Sequence, residues 1–249
     1  AQPMPAGFLL DNPRPGGHRR GGNFRSEVNM FQSFEVTARP EQGPPRLAAL
    51  RGELAREGLD GFLVPRADAH QGEYVAPRDE RLGWLTGFTG SAGFCAALTR
   101  AAGVFIDGRY RTQVKAQVAE EFTPVPWPEV QLADWLKEQL PGGGTIGYDA
   151  WLHAAGQIAG LEKELKGSGI SLRQTDNLVD RIWQDQPAPP MQPAAAHPAE
   201  YAGEDAAEKC KRLAGGLAKA GHSAAVITLP DSIMWLLNIR GADIAHNPV

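Results

Sequence analysis

Apolar residues recur at helical and then at strand spacing from residue 46 onward. Leu47, Leu50 and Leu54 share one face of a helix, and Gly58 is a suitable residue to end it. The next apolar run, GFLVP at 61–65, is short and is bounded by Gly and Pro, which is typical of a buried strand. The pattern therefore predicts a helix followed by a strand at the start of an ordered domain.

Strands and helices continue to alternate up to residue 185. Residues 92–98 and 104–107 predict a β-hairpin, with its turn at 100–103. The remaining segments are predicted by the same spacing rules: helices around 110–118, 132–136, 158–165 and 178–183, and a strand at 145–148. This alternation predicts an α/β fold with a mixed central sheet flanked by helices.

A proline-rich stretch interrupts the pattern at residues 186–199. It contains five prolines, which neither a helix interior nor a central strand tolerates. We interpret the stretch as a semi-rigid linker between a first domain at 46–185 and a second at 200–249.

The chain after the linker repeats the order of the first domain. In both copies a helix, an apolar strand, a proline, a Trp-Leu pair and a glycine follow one another, with Trp84 and Trp235 at equivalent places. The second strand is expected at Val226–Leu229. The chain stops at Val249, where the first copy opens its hairpin, so we expect a duplicated fold whose second copy is truncated. Trp84, Trp183 and Trp235 are predicted core anchors.

The first 45 residues are predicted to be a disordered or irregular extension. Residues 1–29 are rich in Gly, Pro and Arg and have no helical or strand period. The arginines faintly suggest an organelle transit peptide, but the Gly pairs at 16–17 and 21–22 would break its amphipathic helix.

Composition and charge limit the possible partners. The 249 residues are 42% hydrophobic and carry a net charge of −4, with acids and bases interspersed. Nucleic-acid binding usually needs a basic patch, and a membrane span needs about 18 apolar residues in a row; neither is present. The two cysteines, Cys95 and Cys210, form neither a zinc motif nor a disulfide framework, and Cys95 is predicted to be a buried, inert thiol. A reducing, cytoplasmic location fits this cysteine usage.

Two polar segments invite a catalytic interpretation and do not support one. His70 and Glu73 could ligate a metal on a helix beside Asp68, but Pro65 and Pro77 favour a loop. The segment GFTGSAG at 87–93 lacks both the Gly-x-Ser-x-Gly nucleophile motif and the Walker lysine. We therefore predict that its glycines serve positive φ angles or close packing. His153, His197 and His222 are predicted to be solvated.

Several segments resemble the N-terminal domains of long-form Xaa-Pro aminopeptidases (aminopeptidase P) in the creatinase/prolidase superfamily. They are DAHQGEY at 68–74, GFTGSAG at 87–93, DGRY at 107–110, NLVDRIWQD at 177–185 and WLLNIRGAD at 235–243. The resemblance implies a creatinase N-terminal-domain fold, which is ribonuclease-H-like, and a parent enzyme that removes the residue before proline from peptides. It also implies two divalent metal ions, of which manganese is the expected one, in a C-terminal metallopeptidase domain.

The resemblance implies a non-catalytic role for the chain itself. The family's Asp, Asp, His, Glu and Glu metal ligands cannot be assigned here, so no catalytic or metal residue is predicted in this chain and the chain alone is expected to be inactive. The resemblance implies that this chain helps to shape the active-site cleft of the parent enzyme, gates its substrate and supports a homodimer. The implied ligands are peptides with proline at the second position.

Arg109 is the one predicted substrate-binding residue. It follows the strand at 104–106, and open α/β sheets bind ligands at the carboxyl ends of their strands. Its planar guanidinium suits carboxylates and peptide carbonyls, and the resemblance implies contact with substrate across the domain cleft. The alternative is an ordinary surface arginine paired with Asp107. Arg240 of the second copy is either structural or lines the cleft.

Two other interpretations of the whole chain remain open. One is a stand-alone, non-catalytic binding or scaffolding module with the same fold. The other is a different superfamily member, such as a prolidase or creatinase relative, although the duplication and the 68–74 segment favour long aminopeptidase P.

Overall fold

The computed structural model describes residues 38–249, so most of the predicted N-terminal extension lies outside the described residues. The first part of this range contains, in chain order, α1 Gly43–Glu57, β1 Gly61–Pro65, α2 Arg81–Thr86, β2 Gly93–Leu98, β3 Ala102–Ile106, α3 Gln113–Gln117, β4 Thr123–Pro126, α4 Leu132–Gln139, β5 Gly144–Tyr148, α5 Ala155–Leu165, β6 Ile170–Gln174 and α6 Leu178–Ile182. The second part contains β7 Ala195–Ala196, α7 Ala199–Ala202, α8 Ala206–Lys219, α9 Pro230–Leu237 and β8 Ile239–Arg240.

Strands β1 to β6 form one mixed sheet in the order β4-β3-β2-β1-β5-β6. Strand β2 runs antiparallel to both of its neighbours, and the remaining pairs are parallel. The β2–β3 hairpin, with Gly93 opposite Ile106, is the one expected from the sequence. The predicted α/β fold with a mixed central sheet is confirmed.

Alternate residues of the strands build a core on each face of the sheet. Phe62 and Val64 of β1 face the cluster formed with α1, α2 and α6, whereas Leu63 between them faces the cluster formed with α4 and α5. This is the period of two that a pleated strand imposes. A central strand buried on both faces reads as a continuous apolar run, which explains why GFLVP lacks polar alternation.

Helix α1 has sequence signals at both ends. Pro44 and Pro45 lie in its first turn, where the missing amide hydrogens are not needed. Gly58 ends the helix with φ of 61°, a left-handed conformation that glycine adopts without strain. Leu47, Leu50 and Leu54 are buried at 1% exposure or less, as the helical spacing predicts.

Helix α6 is held against α2 by an ion pair whose arginine is nearly buried. Asn177 caps α6 by accepting from the backbone N–H of Val179 at 3.0 Å. Asp180, one turn later, receives two hydrogen bonds from Arg81, whose residue is only 5% exposed. Trp84 and Trp183 stack beside this pair with ring centroids 5.0 Å apart. The NLVDRIWQD segment thus has a structural role, since it attaches α6 to α2. Trp84 and Trp183 pack against the core, as predicted.

Two strands of the six-stranded sheet were missed by the sequence interpretation, and one helix is shorter than predicted. Strand β4 contains two prolines, and it forms because it lies at the edge of the sheet and pairs on one side only. Strand β6 is the opposite edge and is largely exposed, so it has no apolar run. The helix expected at 110–118 is split into a 3-10 turn at Gly108–Tyr110 and the short α3.

The second part of the chain departs from its predicted pattern. The strand expected at Val226–Leu229 is absent, and Val226 is 90% exposed. A strand needs a backbone partner, and the described residues place none beside this segment. Trp235 is 45% exposed and is therefore not the predicted core anchor. The linker includes β7, which pairs with β8, and the domain boundaries of the sequence analysis stay a prediction.

Candidate functional site

The carboxyl ends of five strands lie side by side at one end of the sheet. This row of strand ends is called the carboxyl edge, or simply the edge, and it is distinct from the outermost strands β4 and β6. Pro65, Ile106, Pro126, Tyr148 and Gln174 end β1, β3, β4, β5 and β6, and the parallel pairings bring these ends side by side. The antiparallel β2 contributes its first residue to the same edge. The loops that follow these strands begin at this edge, and ligands of open α/β sheets bind in this position.

Arg109 lies at this edge, immediately after β3. The carboxylate of Asp107 caps the 3-10 turn by accepting from the Arg109 backbone N–H at 2.9 Å. The same carboxylate accepts from the guanidinium, from Nε at 3.0 Å and from Nη2 at 2.6 Å. The Arg109 side chain is nevertheless 66% exposed. Asp107 therefore orients the guanidinium while its remaining donors face solvent.

The ion pair shifts both of its members in the expected directions. Hydrogen bonding to Asp107, followed by its charge, raises the pKa of Arg109. Hydrogen bonding from the Arg109 side chain lowers the pKa of Asp107. Since the Arg109 side chain is mostly exposed, the pair adds little to the stability of the fold and acts mainly to position that side chain. The pairing with Asp107 foreseen in the sequence analysis is present, and it is compatible with ligand binding by the outer donors.

Tyr110 brings two of the resembling segments together at the edge. Its hydroxyl forms a 2.6 Å hydrogen bond with Ser91 of the GFTGSAG segment. Its ring packs edge-on against Phe88 at 5.6 Å, and the Arg109 guanidinium lies 5.2 Å from the Tyr110 ring centroid. The sequence places these two segments about twenty residues apart, and the hairpin register makes them neighbours.

The glycines of GFTGSAG have the packing role predicted for them. Gly87 has φ of 86° and ends α2. A Cβ at this position would collide with the backbone carbonyl oxygen of Gln117. Both conditions require glycine, so the segment is a close approach of two backbones and not a nucleophile turn.

The 68–74 segment is a loop, as its flanking prolines predict, and it reaches the same edge. Asp68 turns the loop by accepting from the backbone N–H groups of His70 at 2.9 Å and Gly72 at 3.1 Å. Arg66 holds the far side of the loop, since its Nη1 donates to the Glu73 carbonyl at 2.7 Å and to the Ser91 carbonyl at 3.4 Å.

Sequence reasoning missed Arg66, because its role depends on contacts with residues that lie 7 to 25 positions further along the chain. Its side chain is only 12% exposed, and it forms an ion pair with Glu80 at 3.4 Å. Burial, opposed by the charge of Arg66, raises the pKa of Glu80. Arg66 therefore positions the loop beside Arg109 without itself being presented to solvent.

The described residues do not provide a metal centre. Among residues 38–249, no three His, Cys, Asp or Glu side chains converge as metal ligands would. The oxygen of Asp68 that faces the loop is engaged by backbone amides. The donor set of this part of the chain therefore does not fit a pair of divalent ions.

An apolar cavity of about 450 Å³ opens beside the edge, between α4, α5 and the sheet. Phe94, Trp127, Leu132 and Leu161 are among its lining residues. His153 also lines it; burial lowers the pKa of this histidine, and its Nδ1 lies 2.9 Å from the Asp149 carbonyl oxygen. His153 is thus half-buried, contrary to the solvated position predicted. Sequence reasoning missed the cavity, because Trp127 follows the unpredicted strand β4.

The fold and this edge define the class of the protein. The family described as the creatinase/prolidase N-terminal domain matches residues 46–182, and a second family model with the same description matches residues 185–249. The chain therefore belongs to the creatinase/prolidase N-terminal domain family. Within residues 38–249, no helix is long and apolar enough to cross a bilayer.

Curated relatives that match over long stretches of this chain include fungal proteins. A probable Xaa-Pro aminopeptidase P from Coccidioides posadasii strain C735 is 37% identical over 242 residues, which is 93% of this chain and 36% of that protein. The corresponding protein of Talaromyces marneffei is 39% identical over 235 residues, covering 90% of this chain and 35% of the relative. This chain thus spans about a third of the length of the curated relatives it matches.

A solved structure shows the same relationship. The X-prolyl aminopeptidase of Caenorhabditis elegans, described as a cytosolic enzyme with a di-nuclear active site, superposes with a TM-score of 0.76 at 33% identity. The match covers 83% of this chain and 36% of that one.

Proposed function

We propose that this chain is the N-terminal, non-catalytic part of a metal-dependent Xaa-Pro aminopeptidase, an enzyme that removes the residue preceding proline from peptides. The observation that carries the proposal is the extent of the match: 93% of the chain aligns with a third of a probable Xaa-Pro aminopeptidase P. The structural similarity to the nematode enzyme supports the same assignment.

Hydrolysis belongs, in this proposal, to another domain of the longer protein. The described residues offer no converging set of metal ligands, so no hydrolytic step is derived from them. The nematode relative is described as having a di-nuclear active site, which supports two divalent ions in the parent enzyme. Manganese is the identity that the family resemblance favours.

Arg109 is the substrate-binding residue of this part. A guanidinium binds a carboxylate or a peptide carbonyl through paired N–H donors, and such charge-assisted bonds are stronger than neutral ones. The Asp107 carboxylate accepts hydrogen bonds from Nε and Nη2 of Arg109, which fixes the plane of the guanidinium before a ligand binds. The exposed remainder of the side chain then contacts a peptide lying across the strand ends.

The remaining parts of the proposal concern the assembled enzyme. The domain narrows the active-site cleft, limits access to short or flexible peptides and supports a homodimer. A cytoplasmic location is supported by the nematode relative, which is described as cytosolic.

The decisive test of the assignment is the coding sequence beyond Val249. The proposal expects a continuing frame that encodes two Asp, one His and two Glu in metal-binding order. A stop at this position would instead favour a stand-alone binding or scaffolding module with the same fold.

The role of Arg109 is tested in the intact enzyme with Arg109→Ala. Losing a charge-assisted contact is expected to raise KM for an Xaa-Pro peptide by about tenfold, with metal content unchanged. Arg111→Ala is the matched control, because Arg111 is also exposed and also paired with a carboxylate, that of Glu129. The role is abandoned if Arg109→Ala leaves both KM and kcat at the values of the parent, or if the control has the same effect.

A further inference from the structure

A buried lysine in the second part of the chain has no acidic partner among the described residues. Lys209 of α8 is 2% exposed. Its Nζ donates to the Trp235 carbonyl at 2.8 Å and to Asn238 Oδ1 at 2.6 Å, and it lies 4.4 Å from the Trp235 ring centroid. Every one of these partners is neutral. Within residues 38–249, no carboxylate lies within 4.0 Å of this ammonium group.

A second cation, Arg240, lines the same cavity as Lys209 and also lacks a carboxylate partner among the described residues. Arg240 of β8 donates from Nη1 to the Ile239 carbonyl at 3.2 Å. In the part of the chain that the structure describes, Arg240 forms no ion pair with a carboxylate. The strand that carries Arg240 pairs with β7, which holds the Arg240 backbone opposite Ala195.

The nearby acidic group is already engaged elsewhere. Glu204 receives two hydrogen bonds from Arg212, from Nη2 at 2.7 Å and from Nε at 3.2 Å. The hydrogen bond from Arg212 is the main cause of the lowered pKa of Glu204, and the charge of Lys209 adds to it from a distance. Glu204 therefore does not neutralise the Lys209–Arg240 pair.

Both cations line one small cavity. The cavity measures about 130 Å³, roughly the liquid volume of four water molecules. His197, Tyr201 and Asn238 complete its polar lining, so a hydroxyl and an imidazole accompany the ammonium and guanidinium groups. This volume admits one small polyatomic ion or one terminal group of a larger molecule.

The electrostatics of the cavity indicate what it binds. Placing two cations near each other in a partly desolvated cavity is unfavourable unless an opposite charge offsets both. The ammonium, guanidinium and hydroxyl groups in the lining can all donate hydrogen bonds, which suits a ligand that accepts them. We propose that the Lys209–Arg240 cavity binds a small oxyanion, either a free phosphate or sulfate ion or a single carboxylate group.

The competing role for Lys209 is purely structural. Its ammonium group satisfies a carbonyl at the carboxyl end of α9, where the helix dipole favours a cation. That role explains Lys209 without a ligand, but it does not explain why Arg240 faces the same cavity. It also predicts no response to added anions, which separates it from the proposal.

The test is a titration of the 249-residue chain with sodium phosphate by calorimetry, at constant ionic strength set with sodium chloride. Saturable binding is expected, together with a rise in Tm that follows the same saturation. Parallel titrations with sulfate and acetate distinguish the two kinds of ligand. Binding of sulfate without binding of acetate indicates a tetrahedral ion, whereas binding of acetate indicates a carboxylate group. Absence of saturable binding in all three overturns the proposal.

Variants assign the binding to the cavity. Arg240→Gln is expected to weaken phosphate binding by about tenfold, because one charge-assisted contact is lost. Arg240→Lys keeps the charge and is expected to retain most of the affinity. Lys211→Gln removes one charge from the same helix at a side chain that is 79% exposed, and it is the matched control. Equal affinities in parent and Arg240→Gln, or an equal loss in Lys211→Gln, would overturn the site.

Discussion

Arg81 and Asp180 form a two-pronged ion pair across 99 residues of sequence, with Nε to Oδ1 at 2.6 Å and Nη2 to Oδ2 at 2.9 Å. The pair joins α2 to α6, and Asp79 contributes a further contact to Arg81 at 2.8 Å. Burial is the largest single influence on Arg81 and lowers its pKa, but the hydrogen bonds that Arg81 donates to the two carboxylates, together with their charges, outweigh burial and raise the pKa.

Removing the carboxylate of this pair is expected to destabilise the fold. In Asp180→Asn, the nearly buried Arg81 keeps only Asp79 as an ionic partner, so the free energy of unfolding should fall by about 2 kcal/mol. Urea denaturation measures the change. Asp176→Asn removes an 88% exposed partner of Arg181 and is expected to cost about 0.5 kcal/mol or less. Equal losses in the two variants would show that the Arg81 pair has no special role.

Two glycines with opposite environments are expected to respond in opposite ways to alanine. Gly87→Ala forces a side chain into a left-handed backbone and against the Gln117 carbonyl, so it should destabilise by about 2 kcal/mol or more. Gly52→Ala lies inside α1 with open space around the new methyl group, and it should stabilise by about 0.5–1 kcal/mol. Thermal unfolding of both variants checks the pair, and a destabilised Gly52→Ala would contradict the helix assignment.

The two cysteines are expected to differ in reactivity. Cys95 is fully buried in β2, and Cys210 is exposed on α8. A thiol reagent added to the reduced native protein should modify Cys210 alone, and Cys95 should react only after unfolding, because the thiolate is the reactive form and needs access. Mass spectrometry of the labelled protein identifies the site. Rapid native labelling of Cys95 would rule out the closed core described above.

Cys95 also predicts a loss of stability at alkaline pH. Burial raises the pKa of this thiol from 9.0 to about 12. The folded state therefore retains a proton that the unfolded state releases, so the contribution is complete below pH 9 and declines as the pH rises toward 12. The slope for one proton is at most about 1.4 kcal/mol per pH unit. The parent should lose more stability than Cys95→Ala over this range; parallel curves would contradict the prediction.

Local signals explain why many elements could be predicted from the sequence. The stripe at Leu47, Leu50 and Leu54, with Gly58 after it, predicted α1, and the apolar run at 61–65 predicted β1. The β2–β3 hairpin was predictable because its two strands are adjacent along the chain and are joined by a short turn. In contrast, β4 and the Val226–Leu229 segment were misassigned in opposite directions. Each depends on whether a partner strand is available, which local composition does not encode.

The candidate site divides in the same way. Arg109 was identified from its place after a strand and from its motif, and the structure shows it oriented by Asp107. Whether it binds peptide stays a prediction. Arg66, the cavity beside Trp127 and the Lys209–Arg240 pair had no sequence signal, since each is defined by residues that are distant along the chain.

The sequence by itself determined the helix faces, the two-sided central strands, the glycine-dependent turns and the family resemblance, because each rests on residues a few positions apart. The tertiary structure alone decided which edge positions become strands, which tryptophans are buried and which charges lack partners. Burial and ion pairing depend on the three-dimensional neighbours of a side chain. The packing of α6 on α2 places the Asp180 carboxylate against Arg81. Lys209 and Arg240 line one cavity, and neither has a carboxylate partner among the described residues.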